Sequence, residues 1–460
     1  MKNENVVKTT SRETDMTVGK PLPLIFKFFL PLFIGNVFQQ VYNMVDSVIV
    51  GRYVSAEALG AVGLTGTIMF LLLGLASGLT QGFAVLCGQR FGAGDIRGLK
   101  RSVANAVILS VVSALVITAL GAIFMNPMLR IMNTPEDIYQ DAYHYIIIID
   151  YGIICTVFYD MFSAFLRSVG NSKVPLYFLI LCAGLNIVLD LLFIVVFHMG
   201  TGGAALATVV SQAISALLCG IYLFVKFPIL IPEKSDWKIH REESKKQIAV
   251  GVPMALQFGV TASGTMVMQA AINVFGSVAI SAFTAGCKVV QILTQGFPAM
   301  GQTMAAYCAQ NYGKKEAARI KEGVRVGTWL SNAYAVIAMV LCVLLLKPAL
   351  YLFYSSGTDI SAYLPWARTY VYLSMIFFIP LGFIFVYRNV MQGCGYGFLP
   401  LMGGVIEFVA RVITAIIAIH VHSYALAAFC DPAAWIATGI FTLVAYRFIL
   451  KKIYREFERE

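Results

Sequence analysis

Runs of about 20 mainly apolar residues recur along nearly the whole chain, which removes most folds from consideration. Hydrocarbon offers a peptide group no water to hydrogen-bond. Each run must therefore close its own backbone bonds as a helix. The runs divide into twelve spans: 24–51, 59–86, 103–125, 139–166, 176–197, 204–226, 247–275, 280–308, 326–346, 366–387, 399–420 and 425–446. Charged residues make up 13% of the chain, against about 25% in an ordinary soluble domain. The expected fold class is an all-α polytopic membrane protein, and a soluble enzyme is set aside.

The net charge of +10 suggests a nucleic-acid partner, but position argues against one. Arg90, Arg97, Lys100 and Arg101 follow span 2, and Lys314, Lys315, Arg319 and Lys321 follow span 8. Lys234, Lys238, Arg241, Lys245 and Lys246 lie after span 6, and Arg447, Lys451, Lys452, Arg455 and Arg459 end the chain. Concentration of Lys and Arg in alternate loops is the positive-inside pattern, so both termini are expected in the cytoplasm of a plasma (inner) membrane protein. The first residues are polar and lack a cleavable signal pattern. The nine cysteines form no CxxC and read as packing thiols, so no disulfide, metal or cofactor is expected.

The chain divides into an N-terminal arm (1–23), six spans (24–226), a polar linker (227–246), six further spans (247–446) and a basic tail (447–460). The halves repeat one another. Gln81-x5-Cys87-x-Gln89-x2-Gly92 closes span 2, and Gln302-x5-Cys308-x-Gln310-x2-Gly313 closes span 8. Arg167 and Arg388 follow spans 4 and 10, and Pro31 and Pro253 sit in spans 1 and 7. Six spans per half give both halves one orientation, predicting two six-helix lobes related by a pseudo-two-fold axis along the membrane normal. Pro31, Pro253, Pro298 and Pro380 lie within spans and are expected kink sites.

Polar groups at membrane depth mark function or pairing, because a mid-membrane carboxylate costs roughly 2.5–3.5 kcal/mol. Asn186 and Asp190 share one helix face in span 5. Asp46 in span 1 follows Tyr42 by one turn, and a carboxylate beside a phenol and an amide can exchange a proton. Thr208 lies in the small-residue stretch Gly202–Thr208. Glu407 and Arg411 form an i,i+4 pair in span 11, read as a structural ion pair. Asp160 precedes Arg167 by seven residues, leaving a salt bridge and a functional role both open. Lys288 has no partner within span 8 and could snorkel, pair across a cavity or touch an anionic ligand. Asp150 and Asp431 read as structural or interfacial. No HExxH, phosphate loop or nucleophile arrangement is present, so neither catalytic residues nor a metal site are expected.

Several of these stretches together resemble the multidrug and toxic compound extrusion (MATE) transporters: Val45-Asp46-Ser-Val-Ile-Val-Gly51, Leu166-Arg167-Ser-Val-Gly170-Asn171, Asn186-Ile-Val-Leu-Asp190, Gly203-Ala-Ala-Leu-Ala-Thr208 and the Gln89-x2-Gly92 turn. The resemblance covers all twelve spans. It implies a monomeric antiporter without cofactor, exporting organic cations and other amphipathic drugs in exchange for H⁺ or Na⁺ by rocking its lobes. Members of the DNA-damage-inducible F type use an acidic N-lobe site, which carries over onto Asp46, Asn186, Asp190 and Thr208, with Tyr42 and Pro31 in span 1. Spans 7 and 10 lack the acids that NorM-type members place there, although Glu407 could contribute. A lipid-linked precursor flippase of the same superfamily is the alternative, with Lys288 and Arg411 as its modest support.

Overall fold

The computed structural model describes residues 13–459 apart from Asn133 and residues 354–359. Residues 1–12 of the expected arm and Glu460 of the tail lie outside the described residues. The described residues are helical throughout, with no strand. The first lobe contains α1 (Pro21–Tyr53), α2 (Ala56–Gly92), α3 (Ile96–Ile131), α4 (Glu136–Tyr151), α5 (Ile153–Ser168), α6 (Lys173–Asp190) and α7 (Gly200–Lys226). The second contains α8 (Arg241–Asn273), α9 (Ser277–Leu293), α10 (Gly296–Gly313), α11 (Ala317–Phe353), α12 (Leu364–Ile376), α13 (Phe378–Gly393), α14 (Phe398–Val421), α15 (Tyr424–Ala428) and α16 (Cys430–Arg459). Pairing α4 with α5, α9 with α10, α12 with α13 and α15 with α16 restores twelve spans. The helices α4 and α5 meet at 46°, and α12 and α13, their counterparts in the repeat, at 50°.

The breaks only partly follow the prolines. Pro298 and Pro380 each occupy the third position of a new helix, α10 and α13, where the missing N–H has no intrahelical partner to lose. The helices α1 and α8 run without interruption through Pro31 and Pro253. The break in span 4 falls at Gly152, where a side chain would collide with Val209. The expected linker is also shorter than 227–246, because α8 already begins at Arg241. The basic tail is no separate segment either, since α16 continues through it to Arg459.

The described part of the N-terminal arm, the end of α16, the linker and the basic turns gather at one end of the molecule, the linker end. Here the lobes are sealed by the repeated motif itself. The turn at Gly92 rests against the backbone of Gln310, and the turn at Gly313 against that of Gln89; a methyl group on either glycine would overlap the opposing carbonyl. Gln89 Nε2 donates to Gly393 O at 3.0 Å, and Gln310 Nε2 donates to Ser168 O at 2.9 Å, so each lobe's glutamine binds the other lobe's backbone. Gly74, Gly78 and Gly82 extend the seam by bringing α2 against Phe258, Ala255 and Gly251 of α8. A methyl on Gly78 would stand 2.7 Å from Ala255 Cα.

The polar arm straps this seal. Thr14 N donates to Val169 O of the first lobe at 3.1 Å, while Met16, fully buried, donates its N–H to Gln310 Oε1 of the second at 2.8 Å. Arg319 donates to Met16 O and Gly19 O at 3.1 and 3.0 Å. Ile25, Phe28, Phe29 and Leu32 then place the first turns of α1 in the core of the second lobe, beside Tyr307 and Met391. From Gly35, which touches Leu176 and Leu179 of α6, the same helix packs within the first lobe. Among the described residues, no hydrogen bond or ring contact joins the lobes further from the linker end than Phe70–Phe258. The cleft opens there.

Candidate functional site

Asp46 on α1 and Asp190 on α6 face each other within hydrogen-bonding reach. Their position follows from local structure. The helix α1 lies along α6, and α6 carries Asn186 and Asp190 on one face. Immediately after Asp190 the helix widens into a π turn, Leu191–Val196. Such turns recur at functional sites because they shift the side chains that follow.

Asp190 and Asn186 are almost wholly buried (0% and 1% exposed), while Asp46 is half-buried. Asp46 Oδ1 and both carboxyl oxygens of Asp190 are enclosed without a donor. Neither acid enters an ion pair among the described residues. Two enclosed carboxylates this close repel one another, and a single shared proton removes one charge while supplying the missing hydrogen bond. Such a pair has the chemistry to hold a cation, the smallest being a proton shared between the two carboxyls.

Asn186 Nδ2 donates to Thr208 Oγ1 on α7 at 3.3 Å, and Thr208 Oγ1 donates back to Ala204 O at 3.1 Å. Tyr42 stands close to Asp46 and Asp190. Five of the expected residues are thus brought together: Asp46, Tyr42, Asn186, Asp190 and Thr208. Tyr145 on α4 lies near this group, its OH donating to Met69 Sδ at 3.8 Å, and nothing in the sequence marks it. Its own helix resembles any buried apolar face, and only the packing of α4 reveals its neighbours.

Tyr42 and Thr208 line the top of a 260 Å³ cavity in the first lobe, large enough for ordered water. The cavity passes Pro31 and reaches Asp160, Arg167, Gln81 and Gln302. Asp160 accepts a hydrogen bond from Ser77 on α2, so its nearest partner is a hydroxyl rather than Arg167. Gln81 and Gln302, equivalent in the repeat, also line a smaller space of 60 Å³ between the lobes, directly above the seal.

The second lobe presents a balanced network instead. Arg411 binds Glu407 at 2.8 Å and Asp431 at 3.0 Å, and Arg388 lies 3.9 Å from Glu407. Tyr370 OH donates to Asp431 Oδ2 at 3.3 Å. Two acids and two arginines leave no net charge. The expected Glu407–Arg411 pair is present, and Asp431 on α16 joins it, a partnership that separation along the chain concealed. Lys288 stands apart from both groups, exposed on α9. Among the described residues no cluster of His, Cys, Asp and Glu has the makings of a metal site.

Compared with known proteins, residues 31–192 and 253–428 match the MatE family model, two segments that begin at the repeat-related prolines. The chain is 33% identical over 302 residues to the Probable multidrug resistance protein YpnP of Bacillus subtilis (strain 168), covering 65% of this chain and 67% of that protein. It is 29% identical over 333 residues to YoeA of the same organism, also named a Probable multidrug resistance protein, covering 70% and 72%. Its fold is similar to a solved outward-facing structure of a multidrug resistance MATE family transporter of the MOP superfamily. The TM-score is 0.89 at 23% identity, covering 97% of this chain and 100% of that one.

Proposed function

Because the chain belongs to the MatE family, a family of multi-pass membrane transporters, we propose that it is a secondary antiporter that exports amphipathic and cationic compounds in exchange for a proton bound between Asp46 and Asp190. The observation that carries this reading is the pair of facing, enclosed carboxyls with three donorless oxygens. The basic linker end is assigned to the cytoplasm by its excess of Lys and Arg. The described conformation is then closed inward and open outward. The N-lobe site corresponds to that of the DNA-damage-inducible F type. The names of the relatives support drug export over the flippase alternative.

Helix α1 supplies the coupling. Its first turns are anchored in the second lobe, Pro31 lies near the crossing, and Asp46 sits in the first lobe. A proton entering from the open side lands between Asp46 and Asp190 and removes the repulsion between them where α1 lies along α6. The resulting shift of α1 is transmitted to the second lobe through Phe28, Phe29 and Leu32. The drug leaves outward, the seal at Gln89 and Gln310 parts, and the proton exits toward the cytoplasm through the cavity at Asp160. One charge crossing about 150 mV releases roughly 3.5 kcal/mol, enough for a few-hundred-fold gradient of a neutral substrate.

Asp190→Asn keeps the shape of the side chain but cannot take up the exchanged proton. It is expected to abolish efflux of a fluorescent organic cation from proteoliposomes at an unchanged protein level. Imposing pH and Na⁺ gradients separately identifies the ion. Wild-type efflux by the variant would sink the assignment, and indifference to both gradients would remove the antiporter reading.

A further inference from the structure

Helix α9 carries a feature that the proton site does not use. Ser277, Ser281, Thr284, Lys288 and Gln291 fall within an arc of about 80° at 3.6 residues per turn. The residues that pack α9 against its lobe, including Ala282, Gly286, Val289 and Val290, occupy the opposite side. Ser277, Thr284, Lys288 and Gln291 are exposed.

This face does not meet lipid. The lipid-facing sides of α3 and α11 present Val112, Leu115, Val116 and Ile123, and Val336, Ile337, Val340 and Leu344. A polar stripe bearing an ammonium group at this depth is tolerated only beside water or a partner. The course of span 8 shows which space it borders. Its lower half, α10, packs on α1 and α2 of the other lobe, whereas α9 packs within its own lobe, on α8, α11 and α12. Above the seal, the exposed side of α9 is therefore a wall of the open cleft. Lys288 lies 11 residues below the start of α9, about 17 Å down that wall at 1.5 Å per residue. Among the described residues it makes no hydrogen bond or ion pair, although two acids, Glu407 and Asp431, lie at membrane depth in its own lobe. Arg411 has taken both.

We propose that Lys288, with Thr284 and Gln291 one turn to either side, is a subsite for an anionic oxygen group (carboxylate, sulfonate or phosphate) carried by an amphiphile in the cleft. This rests on the export reading and narrows it. The substrate class includes zwitterionic and anionic amphiphiles, with the first lobe holding the proton and the second holding the anionic end. An ammonium group supplies three donors to such oxygens, and the Gln291 amide adds two more on the same helix face; the Thr284 hydroxyl, which donates to Ile280 O at 2.9 Å, joins them by rotating about its Cα–Cβ bond. Outward movement of an anion also runs with the membrane potential, so it adds to the drive from proton entry.

The test uses two dyes of one scaffold, anionic sulforhodamine B and cationic rhodamine 6G, binding to the full-length protein in a nonionic detergent, read by fluorescence polarisation. Lys288→Gln is expected to weaken sulforhodamine binding at least tenfold, as loss of a charged hydrogen bond implies. Rhodamine 6G binding should stay within twofold, and Lys288→Arg should retain both. Phosphatidylglycerol added to the micelles separates the two sources of the group. Displacement of sulforhodamine from the wild type at a few lipids per protein assigns the subsite to a lipid headgroup, and no displacement assigns it to a soluble amphiphile. Equal sulforhodamine affinity in wild type and Lys288→Gln, or its absence in the wild type, overturns the proposal. Failure of rhodamine 6G to bind the wild type would instead count against the export reading itself.

Discussion

The reciprocal contact at the linker end makes a quantitative prediction. Gly92 and Gly313 have helical backbone angles, so alanine strains neither helix by itself. The cost lies across the seam. A Cβ on Gly92 would stand 2.5 Å from Gln310 Cα, and one on Gly313 2.6 Å from the carbonyl carbon of Gln89, closer still to the two oxygens. Contacts of a Cβ below 3.0 Å are essentially never seen, and the carbonyl oxygens of Gln310 and Gln89 would stand at 1.9 and 1.8 Å, so the turns must separate by at least about 1 Å (3.0 − 1.9). The opposing atoms are backbone and have no rotamer to change. Overpacking of this kind costs about 1–3 kcal/mol, all of it in the sealed state. An equilibrium between two openings then shifts about 5–150-fold toward the state in which the seam is parted. Pulsed electron paramagnetic resonance between labels at Arg97→Cys and Lys321→Cys, exposed on the two lobes, reads the change as a new, longer-distance population. Gly63→Ala, where nothing lies within 4 Å, is the control and should leave the distances alone. Distributions for Gly92→Ala and Gly313→Ala that superimpose on the wild type would refute the seal as described.

Two further outcomes follow from buried contacts. Arg411→Met strips the bonded cation from both Glu407 and Asp431, which are 6% and 7% exposed, and leaves Arg388, 3.9 Å from Glu407, as the only cation within ion-pairing distance of either among the described residues. Removing one partner of such a group costs about 3–5 kcal/mol, so the melting temperature in detergent should fall by several degrees; an unchanged melt would show that the network is solvated. Arg319→Ala deletes two charged hydrogen bonds to the arm, at Met16 O and Gly19 O. Amide exchange at Met16, whose N–H is held by Gln310, should accelerate at least tenfold, and wild-type protection would mean that the strap is held without Arg319, by Met16 packing and the strap's bonds to Gln310 and Val169.

The parts legible in the sequence are those governed by local chemistry and by the membrane. Twelve spans, two like-oriented halves and a shared face for Asn186 and Asp190 follow from hydropathy, loop count and a spacing of four residues. Those constraints act residue by residue, because hydrocarbon forces every segment to satisfy its own backbone. The repeat was also visible, but its purpose was not. Gln89-x2-Gly92 and Gln310-x2-Gly313 read as two similar turns, and only their meeting across the lobes explains why each needs a glycine. Asp431 found Arg411 from another span, Tyr145 joined the acids through the packing of α4, and the break at Gly152 answers to Val209 on α7. The first turns of α1 proved to belong to the opposite lobe's core. These are non-local pairings between faces whose partners a one-dimensional pattern does not encode. Tertiary structure alone decided that Asp46 and Asp190 face each other, and that Arg411 takes both acids at membrane depth in the second lobe and leaves Lys288 unpaired.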